Sequence, residues 1–220
     1  MAAVTRLMKA ITMKKTTPIT CMFLDIGGVL LTDGWGHQAR RRAAAHFELK
    51  LPELEERHHL TVETYEKGKL TLAEYLELVV FYETRLFTQA EFRRFLFAQS
   101  KAYDDMLELV AQLRDRYRLK VVVVSNEARE LNAYRIRKFK LNGLADAFVS
   151  SCFVHVCKPD MDIYRIALDI AQAKPEQVVY IENTAMFVEI AESMGIRSVL
   201  HTDFKSTCSK LASFGLRIEA

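Results

Sequence analysis

Five short apolar runs separated by amphipathic segments constrain the fold more than any other feature of this chain. These runs predict strands at 19–24, 120–124, 147–150, 178–181 and 197–200. Between them apolar residues recur at helical spacing, as in the stripe of Met106, Leu109, Val110 and Leu113. Strands that alternate with helices favour a parallel, doubly wound α/β sheet.

The stretch 35–104 is predicted to be wholly helical. Thr71 with Glu74 and Thr88 with Glu91 each match a capping box, and Pro52 suits a first helical turn. No strand-like alternation interrupts this stretch, which predicts an inserted α-helical subdomain. The core would then comprise residues 19–34 and 105–220, preceded by a flexible tail at 1–18.

Two helix boundaries in the core are also predicted from single residues. Asp160 is the expected N-cap of the helix that carries Ile163 and Tyr164. Asn142 and Gly143 are expected to close the helix that follows the second strand.

Charge and composition exclude several classes of function. The 220 residues include 31 basic and 28 acidic side chains of mixed distribution, which gives no nucleic-acid footprint. Arg40, Arg41 and Arg42 form the densest basic run and are interpreted as a solvated helix face. No apolar run approaches the ~20 residues that span a membrane, and no apolar secretory stretch is present. Four cysteines without a C-x-x-C pair predict reduced thiols and a cytoplasmic protein.

Polar residues follow the predicted strands at the point where each strand ends. Asp25 follows the first strand, Ser125 and Asn126 the second, Lys158 lies in the loop after the third, and Glu182 and Asn183 follow the fourth. Each could be a turn or cap residue when taken alone. Ligands bind at the carboxyl edge of such sheets, so we expect the side chains to converge there. Carboxylates suit Mg²⁺, a hydroxyl and a lysine suit a phosphoryl group, and a carboxylate can attack phosphorus.

The same segments resemble the haloacid dehalogenase superfamily of hydrolases, whose members are mostly phosphatases. They are F-L-D-I-G-G-V-L (23–30), V-V-V-V-S-N (121–126), C-K-P-D-M-D-I-Y (157–164), V-V-Y-I-E-N (178–183) and A-E-S-M-G-I (191–196). The resemblance implies a Rossmann-like core with a helical cap over the site. It also implies a Mg²⁺-dependent phosphoric monoester hydrolase that acts on a small phosphorylated metabolite.

The resemblance assigns a role to each polar residue of the catalytic step. Asp25 would be the nucleophile, which forms an aspartyl-phosphate. Ser125 and the N–H group of Asn126 would hold the phosphoryl oxygens, with Gly27 beside them. Lys158 would neutralise the nucleophile and the developing phosphoryl charge.

The implied metal ligands are Asp25, the carbonyl of Gly27, Glu182 (directly or through water) and Asn183. The sequence departs from the family pattern at two of these positions. Gly27 stands where an aspartate usually protonates the leaving group, a contribution worth roughly 10²–10⁴-fold. Asn183 replaces a second acid beside the metal.

The departures leave two alternatives to a phosphatase. One is a catalytically impaired relative that binds a phosphorylated ligand or a protein partner in the same pocket. The other is a metal-independent 2-haloacid dehalogenase in which Asp25 attacks carbon, although Phe187 stands where those enzymes carry a further acid.

Several residues could supply the missing proton or face the substrate. Asp33, His37 and His155 are candidate proton donors, and each has the alternative of a solvated or satisfied side chain. Trp35 and His37 could face the substrate, or Trp35 could pack the cap on the core. Glu55 and His59 share a helix face, which is interpreted as solvated rather than metal-binding.

Overall fold

A computed structural model describes residues 17–218, in which five parallel strands form one sheet. The strands are β1 (Cys21–Leu24), β2 (Lys120–Ser125), β3 (Ala147–Ser150), β4 (Val178–Glu182) and β5 (Arg197–Leu200). Their spatial order is β3-β2-β1-β4-β5, with every neighbouring pair parallel. The predicted doubly wound α/β fold is confirmed. Most of the predicted 1–18 tail lies outside the described residues.

Ten helices lie among the described residues. They are α1 (His37–His46), α2 (Leu51–Glu66), α3 (Leu72–Val79), α4 (Gln89–Ala98), α5 (Asp104–Tyr117), α6 (Arg129–Lys138), α7 (Ser151–Val154), α8 (Asp162–Ala171), α9 (Ala185–Ser193) and α10 (Phe204–Ser213). Within residues 17–218 none is long and apolar enough to cross a membrane. We call α1–α4, which all lie between β1 and β2, the helical insert.

The structure confirms the two predicted capping boxes and corrects the other two predicted helix boundaries. Thr71 and Thr88 both form complete capping boxes, as predicted. The N-cap of α8 is Met161 rather than Asp160. Asp160 lies one residue before the N-cap, and its carboxylate accepts the N–H of Asp162 at 2.9 Å. The helix after β2 ends at Lys138, and the predicted closing residues form a separate 3-10 turn at Leu141–Gly143.

The strands are buried on both faces, as parallel strands flanked by helices must be. Along β1, Met22 and Leu24 belong to one apolar cluster, whereas Cys21 and Phe23 belong to another. The first cluster packs against α5 and α10, and the second against α8 and α9. Since side chains alternate across a strand, this division holds β1 at the centre of the molecule and fixes where it ends.

A third apolar cluster fills the helical insert and joins it to the core. It includes Trp35, Tyr75 and Phe92 of the insert region and Leu131 of α6. Trp35 donates its indole N–H to the Tyr75 hydroxyl at 2.8 Å and meets the Phe92 ring edge-on at 5.6 Å. The packing interpretation of Trp35 is therefore correct, although the same side chain also borders the cavity described below.

Arg135 of α6 is buried between the two segments that connect the core with the helical insert, one at Thr32 and one at Ser100. Its guanidinium donates to the Thr32 carbonyl at 3.0 Å and the Ser100 hydroxyl at 3.1 Å, and it is ion-paired with Glu127. Thr32 in turn donates to the Gln99 carbonyl at 2.7 Å. One cation therefore ties the outgoing connection, the returning connection and the loop after β2 together.

Candidate functional site

The carboxyl edge of the sheet holds a cavity of about 360 Å³ between the core and the helical insert, here called the Asp25 cavity. Nine of the ten predicted site residues border it: Asp25, Gly27, Asp33, Trp35, Ser125, Asn126, Lys158, Glu182 and Asn183. Strands β1 and β4 lie next to each other at the point where the strand order reverses, which is where such sheets bind ligands.

Lys158 is the centre of the polar network at the base of this cavity. Its ammonium group donates to Asp25 Oδ1 at 2.7 Å, to Glu182 Oε2 at 2.6 Å and to the Tyr180 hydroxyl at 3.1 Å. Tyr180 also donates to Glu182 Oε2. All four side chains are buried, so two carboxylates share one ammonium out of water.

Burial and charge act against each other on these groups. Burial raises the pKa of Asp25 to about 6, with Lys158 lowering it, Glu182 raising it and a hydrogen bond from Ser125 lowering it. For Lys158 burial lowers the pKa, but Asp25 and Glu182 together outweigh burial and raise it. The lysine is therefore a permanent cation beside the candidate nucleophile.

Asn126 positions Lys158 through its side chain. The Asn126 amide donates to the Lys158 carbonyl at 2.9 Å, and its oxygen accepts the Lys158 N–H at 2.8 Å. This reciprocal pair joins the end of β2 to the loop after β3. The side chain of Asn126 is thus occupied, which leaves its predicted role to the backbone N–H group.

The loop after β1 fits closely against Asn183. Gly28 has φ +77°, and a Cβ atom there would lie 2.1 Å from the end of the Asn183 side-chain amide. Only glycine combines that backbone conformation with so close an approach. The paired glycines that follow Asp25 thus let Asn183 reach the Gly27 carbonyl.

The Asn183 side-chain amide joins the loop after β1 to the end of β4. In the orientation that satisfies its neighbours, its nitrogen donates to the Gly27 carbonyl at 3.2 Å and to Glu182 Oε1 at 2.9 Å. Asp25, Gly27 and Glu182 border the same cavity. Carboxylates beside a neutral oxygen are the donors that Mg²⁺ takes, so the residues fit the ion.

The two carboxylates are unequal as ligands for such an ion. Glu182 Oε2 accepts from Lys158 and Tyr180, and Oε1 accepts the Thr184 N–H at 2.9 Å. Asp25 accepts from Lys158 through Oδ1, and from Ser125. Within residues 17–218 no group of three or more His, Cys, Asp or Glu side chains could hold a metal, so backbone and amide oxygens would have to complete the set.

The space left by Gly27 is open rather than filled. A Cβ atom at Gly27 would lie 3.5 Å from Asp33 Cα and Oδ1 and 4.0 Å from Asp25 Oδ2, which are ordinary contact distances. Gly27, unlike Gly28, is not in the left-handed region. A Cβ atom is therefore accommodated here, so contacts at that atom do not require glycine.

Three of the predicted candidates lie elsewhere. His37 is exposed and contacts Glu55 at 3.0 Å, outside the Asp25 cavity. His155 contacts the Lys67 carbonyl at 2.7 Å. Glu55 is ion-paired with Arg40 at 2.8 Å.

The basic run at 40–42 needs a correction. Arg41 and Arg42 are exposed, but Arg40 is buried, donates to the Trp35 carbonyl at 2.6 Å and borders the Asp25 cavity. The solvated-face prediction is therefore wrong for Arg40, because α1 turns this residue towards Glu55 and the cavity.

Four residues of the site were not predicted: Glu66, Glu127, Arg135 and Tyr180. Tyr180 was accessible from sequence, since it lies two residues before Glu182 in a strand and so shares its face. Glu127 follows Ser125 and Asn126 directly and could have been found by the same strand-end rule. Glu66 and Arg135 depend on how the helical insert docks, for which the sequence carries no local signal.

A buried carboxylate, a buried lysine and a strand-end hydroxyl thus meet at the carboxyl edge of a doubly wound sheet, beside a helical insert. The sequence matches the haloacid dehalogenase-like hydrolase family over residues 19–195. The chain therefore belongs to the haloacid dehalogenase-like hydrolases.

Solved structures agree on the fold. A family enzyme of Bacteroides thetaiotaomicron in complex with magnesium gives a TM-score of 0.69 at 18% identity, covering 84% of this chain and 94% of that one. The L-2-haloacid dehalogenase of Xanthobacter autotrophicus, with chloropropionic acid covalently bound, gives 0.60 at 14% identity, covering 91% and 85%.

Curated relatives match only in part. Bifunctional epoxide hydrolase 2 of Rattus norvegicus is 28% identical over 111 residues, which cover 48% of this chain and 20% of the relative. The protein of the same name from Sus scrofa is 29% identical over 66 residues, covering 30% and 12%. The match thus covers no more than a fifth of either relative.

Proposed function

We propose that this protein is a Mg²⁺-dependent phosphatase that hydrolyses a small phosphorylated metabolite through an aspartyl-phosphate on Asp25. The observation that carries the proposal is the contact between Asp25 Oδ1 and the Lys158 ammonium at 2.7 Å, at the base of a cavity that also contains Ser125. A cavity of about 360 Å³ has the size of a small-molecule site.

In the proposed reaction Asp25 attacks phosphorus and the bond to the leaving oxygen breaks. Lys158 stays protonated and offsets negative charge on Asp25 and the phosphoryl group. Ser125, fixed at the end of β2, donates to a phosphoryl oxygen. Asp25 and the Gly27 carbonyl, with Glu182 and Asn183 beside them, would hold the Mg²⁺ ion, whose charge would stabilise the phosphoryl oxygens.

The helical insert is assigned the role of a cap that closes over the substrate. Trp35, Arg40, Val62 and Tyr65 border the Asp25 cavity from this side. We place the protein in the cytoplasm, which fits its four unpaired cysteines, with the phosphorylated metabolite as its partner and no nucleic acid or membrane.

A dehalogenase reaction would use the same nucleophile on carbon. Phe187 borders the cavity where the resemblance places a further acid in dehalogenases, and the Lys158 ammonium lies 5.0 Å from its ring centroid. An aromatic ring cannot activate water, so this position favours the phosphatase over the dehalogenase.

The test is turnover of p-nitrophenyl phosphate by purified protein with Mg²⁺ and with EDTA. We expect hydrolysis that requires the metal, a loss of at least about 10³-fold in Asp25→Asn, and no loss in Asp169→Asn, whose carboxylate is exposed on α8. Undiminished activity in Asp25→Asn would refute the proposal. Halide release from a 2-haloacid without metal would replace it with the dehalogenase.

A further inference from the structure

A glutamate of the helical insert borders the Asp25 cavity together with the candidate nucleophile. It is Glu66, the last residue of α2, which borders the same cavity as Asp25, Lys158 and Glu182. Gly27, where the family usually has its proton donor, borders that cavity too but offers no side chain. Glu66 is therefore a carboxyl group brought to the site by a different part of the chain.

The end of α2 is fixed to the core by three contacts in succession. The buried Ser151 hydroxyl donates to the Glu66 carbonyl at 2.8 Å and accepts the Glu127 N–H at 2.9 Å. His155 contacts the Lys67 carbonyl at 2.7 Å. Gly68 lies so close to Cys152 that a Cβ atom would be 2.5 Å from its carbonyl oxygen. These contacts hold the Glu66 backbone relative to the strands that carry Asp25.

The side chain of Glu66, unlike its backbone, is not tied to a partner. Within residues 17–218 no hydrogen bond or ion pair to its carboxyl group is found, although the residue is only partly exposed. Glu66 also borders a second cavity of about 550 Å³, shared with Asn126, Lys158 and Pro159. The carboxyl group thus lies between the Asp25 cavity and a second opening.

We propose that Glu66 is the general acid and base of the hydrolysis, and that it takes the place of the side chain absent at Gly27. This inference rests on the proposed phosphatase function. An in-line attack places the leaving oxygen on the side away from the nucleophile, and Glu66 borders the cavity from the insert rather than from the strand end that carries Asp25.

Glu66 would give up its proton in the first step and recover one from water in the second. Asp25 forms a bond to phosphorus, the bond to the leaving oxygen breaks, and that oxygen keeps the electron pair and takes the proton of Glu66. Water then attacks the aspartyl-phosphate and gives a proton to the Glu66 carboxylate. The bond between Asp25 and phosphorus breaks, releasing inorganic phosphate and restoring both carboxyl groups to their first state.

The surroundings of Glu66 suit both roles near neutral pH. Burial raises the pKa of Glu66 to about 7, with Glu127 and Asp25 raising it and Lys158 and Arg40 lowering it. The other titratable groups that border the second cavity are Glu63, Lys67, Cys157 and Asp160. A group with this pKa is present in both protonation states at neutral pH, as a shuttle requires.

Three other groups in the Asp25 cavity are less suited. Glu127 is ion-paired with buried Arg135, and proton transfer would break that pair. Burial lowers the pKa of His58 to about 4, so it carries no proton to donate. Asp33 is exposed on the core side, beside the space at Gly27, and is the rival that an experiment must separate.

The experiment compares kcat/KM for p-nitrophenyl phosphate with that for an alkyl phosphate, whose leaving oxygen needs a proton. The variants are Glu66→Gln, Asp33→Asn and Glu56→Gln, the last an exposed carboxylate earlier on α2 that borders neither cavity. We expect Glu66→Gln to lose about 10²–10⁴-fold on the alkyl phosphate and less than about 10-fold on the aryl phosphate. It should also show a burst of p-nitrophenol, because hydrolysis of the aspartyl-phosphate then lacks its base. Glu56→Gln should behave as wild type.

The pH profile gives a second readout. In wild type, kcat/KM for the alkyl phosphate should fall as pH rises through about 7, the pKa of Glu66, whereas Glu66→Gln should lose this limb. An equal loss on both substrates, no loss, or a leaving-group-dependent loss in Asp33→Asn alone would overturn the assignment. A wild type that hydrolyses neither substrate would overturn the proposed function together with the assignment.

Discussion

Replacing Arg135 by methionine should destabilise the protein far more than any surface change. The residue is 1% exposed and its ion-pair partner Glu127 is 3% exposed. The substitution removes the hydrogen bonds to Ser100 and Thr32 and leaves a carboxylate in the interior without its cation. The two connections between core and helical insert would lose their shared partner at the same time.

The expected cost follows from these contacts. Breaking a buried ion pair by removing one partner costs about 3–5 kcal/mol, since the remaining charge is left uncompensated. Glu127 can reduce this cost by taking a proton, and burial already raises its pKa above the usual value. With Arg135 gone that pKa rises further, so the folded state binds a proton that the unfolded state lacks. The free energy of unfolding of the variant should therefore fall by about 1.4 kcal/mol per pH unit above the ordinary pKa of a glutamate, until Glu127 ionises.

Urea denaturation of Arg135→Met at pH 5 and pH 8 measures this directly. The loss of unfolding free energy should be larger at pH 8, whereas Arg137→Met, an exposed arginine on the same helix, should change it by less than about 0.5 kcal/mol. In Arg135→Met/Glu127→Leu no charge remains, so stability should return to within about 2 kcal/mol of wild type. A cost below about 1 kcal/mol, or a double variant no better than the single one, would refute the reasoning.

Two further predictions concern the glycines after Asp25. Gly28→Ala should lower phosphatase activity and should lower the free energy of unfolding by about 1–2 kcal/mol, because its Cβ atom would lie 2.1 Å from the Asn183 amide. The control is Gly143→Ala, whose Cβ atom would have no neighbour within 4 Å. A Gly28→Ala variant with full activity would contradict the close fit. In the Glu66→Gln background, Gly27→Asp should restore at least about 10-fold of kcat/KM on an alkyl phosphate, while Gly27→Asn should not; equal effects of the two would show that charge and proton transfer play no part.

The strand-end residues could be predicted because their position depends on local pattern and one topological rule. Asp25, Ser125 and Glu182 each follow an apolar run, and parallel strands bring such ends to one edge. The predicted position of the site residues does not depend on the exact ends of the strands. β1 begins two residues later than predicted, and β2 and β4 are each one residue longer. A shift of this size leaves the strand end in the same place.

The residues that were missed depend on docking between elements far apart in sequence. Arg135 lies in a helix with no apolar stripe strong enough to show which face is buried, and its partners come from residues 32, 100 and 127. The basic run predicts a solvated Arg40, because such runs are usually exposed. In the structure Arg40 is buried, and Glu55 and the Trp35 carbonyl compensate its charge. Both are buried charges whose partners a single sequence does not reveal.

The division of the proposed chemistry between core and insert has a physical consequence. The core would supply the nucleophile and the cation, since Lys158 donates to Asp25 at 2.7 Å without any contribution from the insert. The proton would come from Glu66, whose place depends on the contacts of Ser151, His155 and Cys152 with the end of α2. An aspartate at position 27 would deliver a proton from the core in any position of the insert, whereas a glutamate on α2 delivers it only when the insert is seated. Without an acid at position 27, proton transfer would therefore require the helical insert to be docked on the core. A substrate that stabilises the docked insert should then be hydrolysed faster than a phosphate that does not contact the insert.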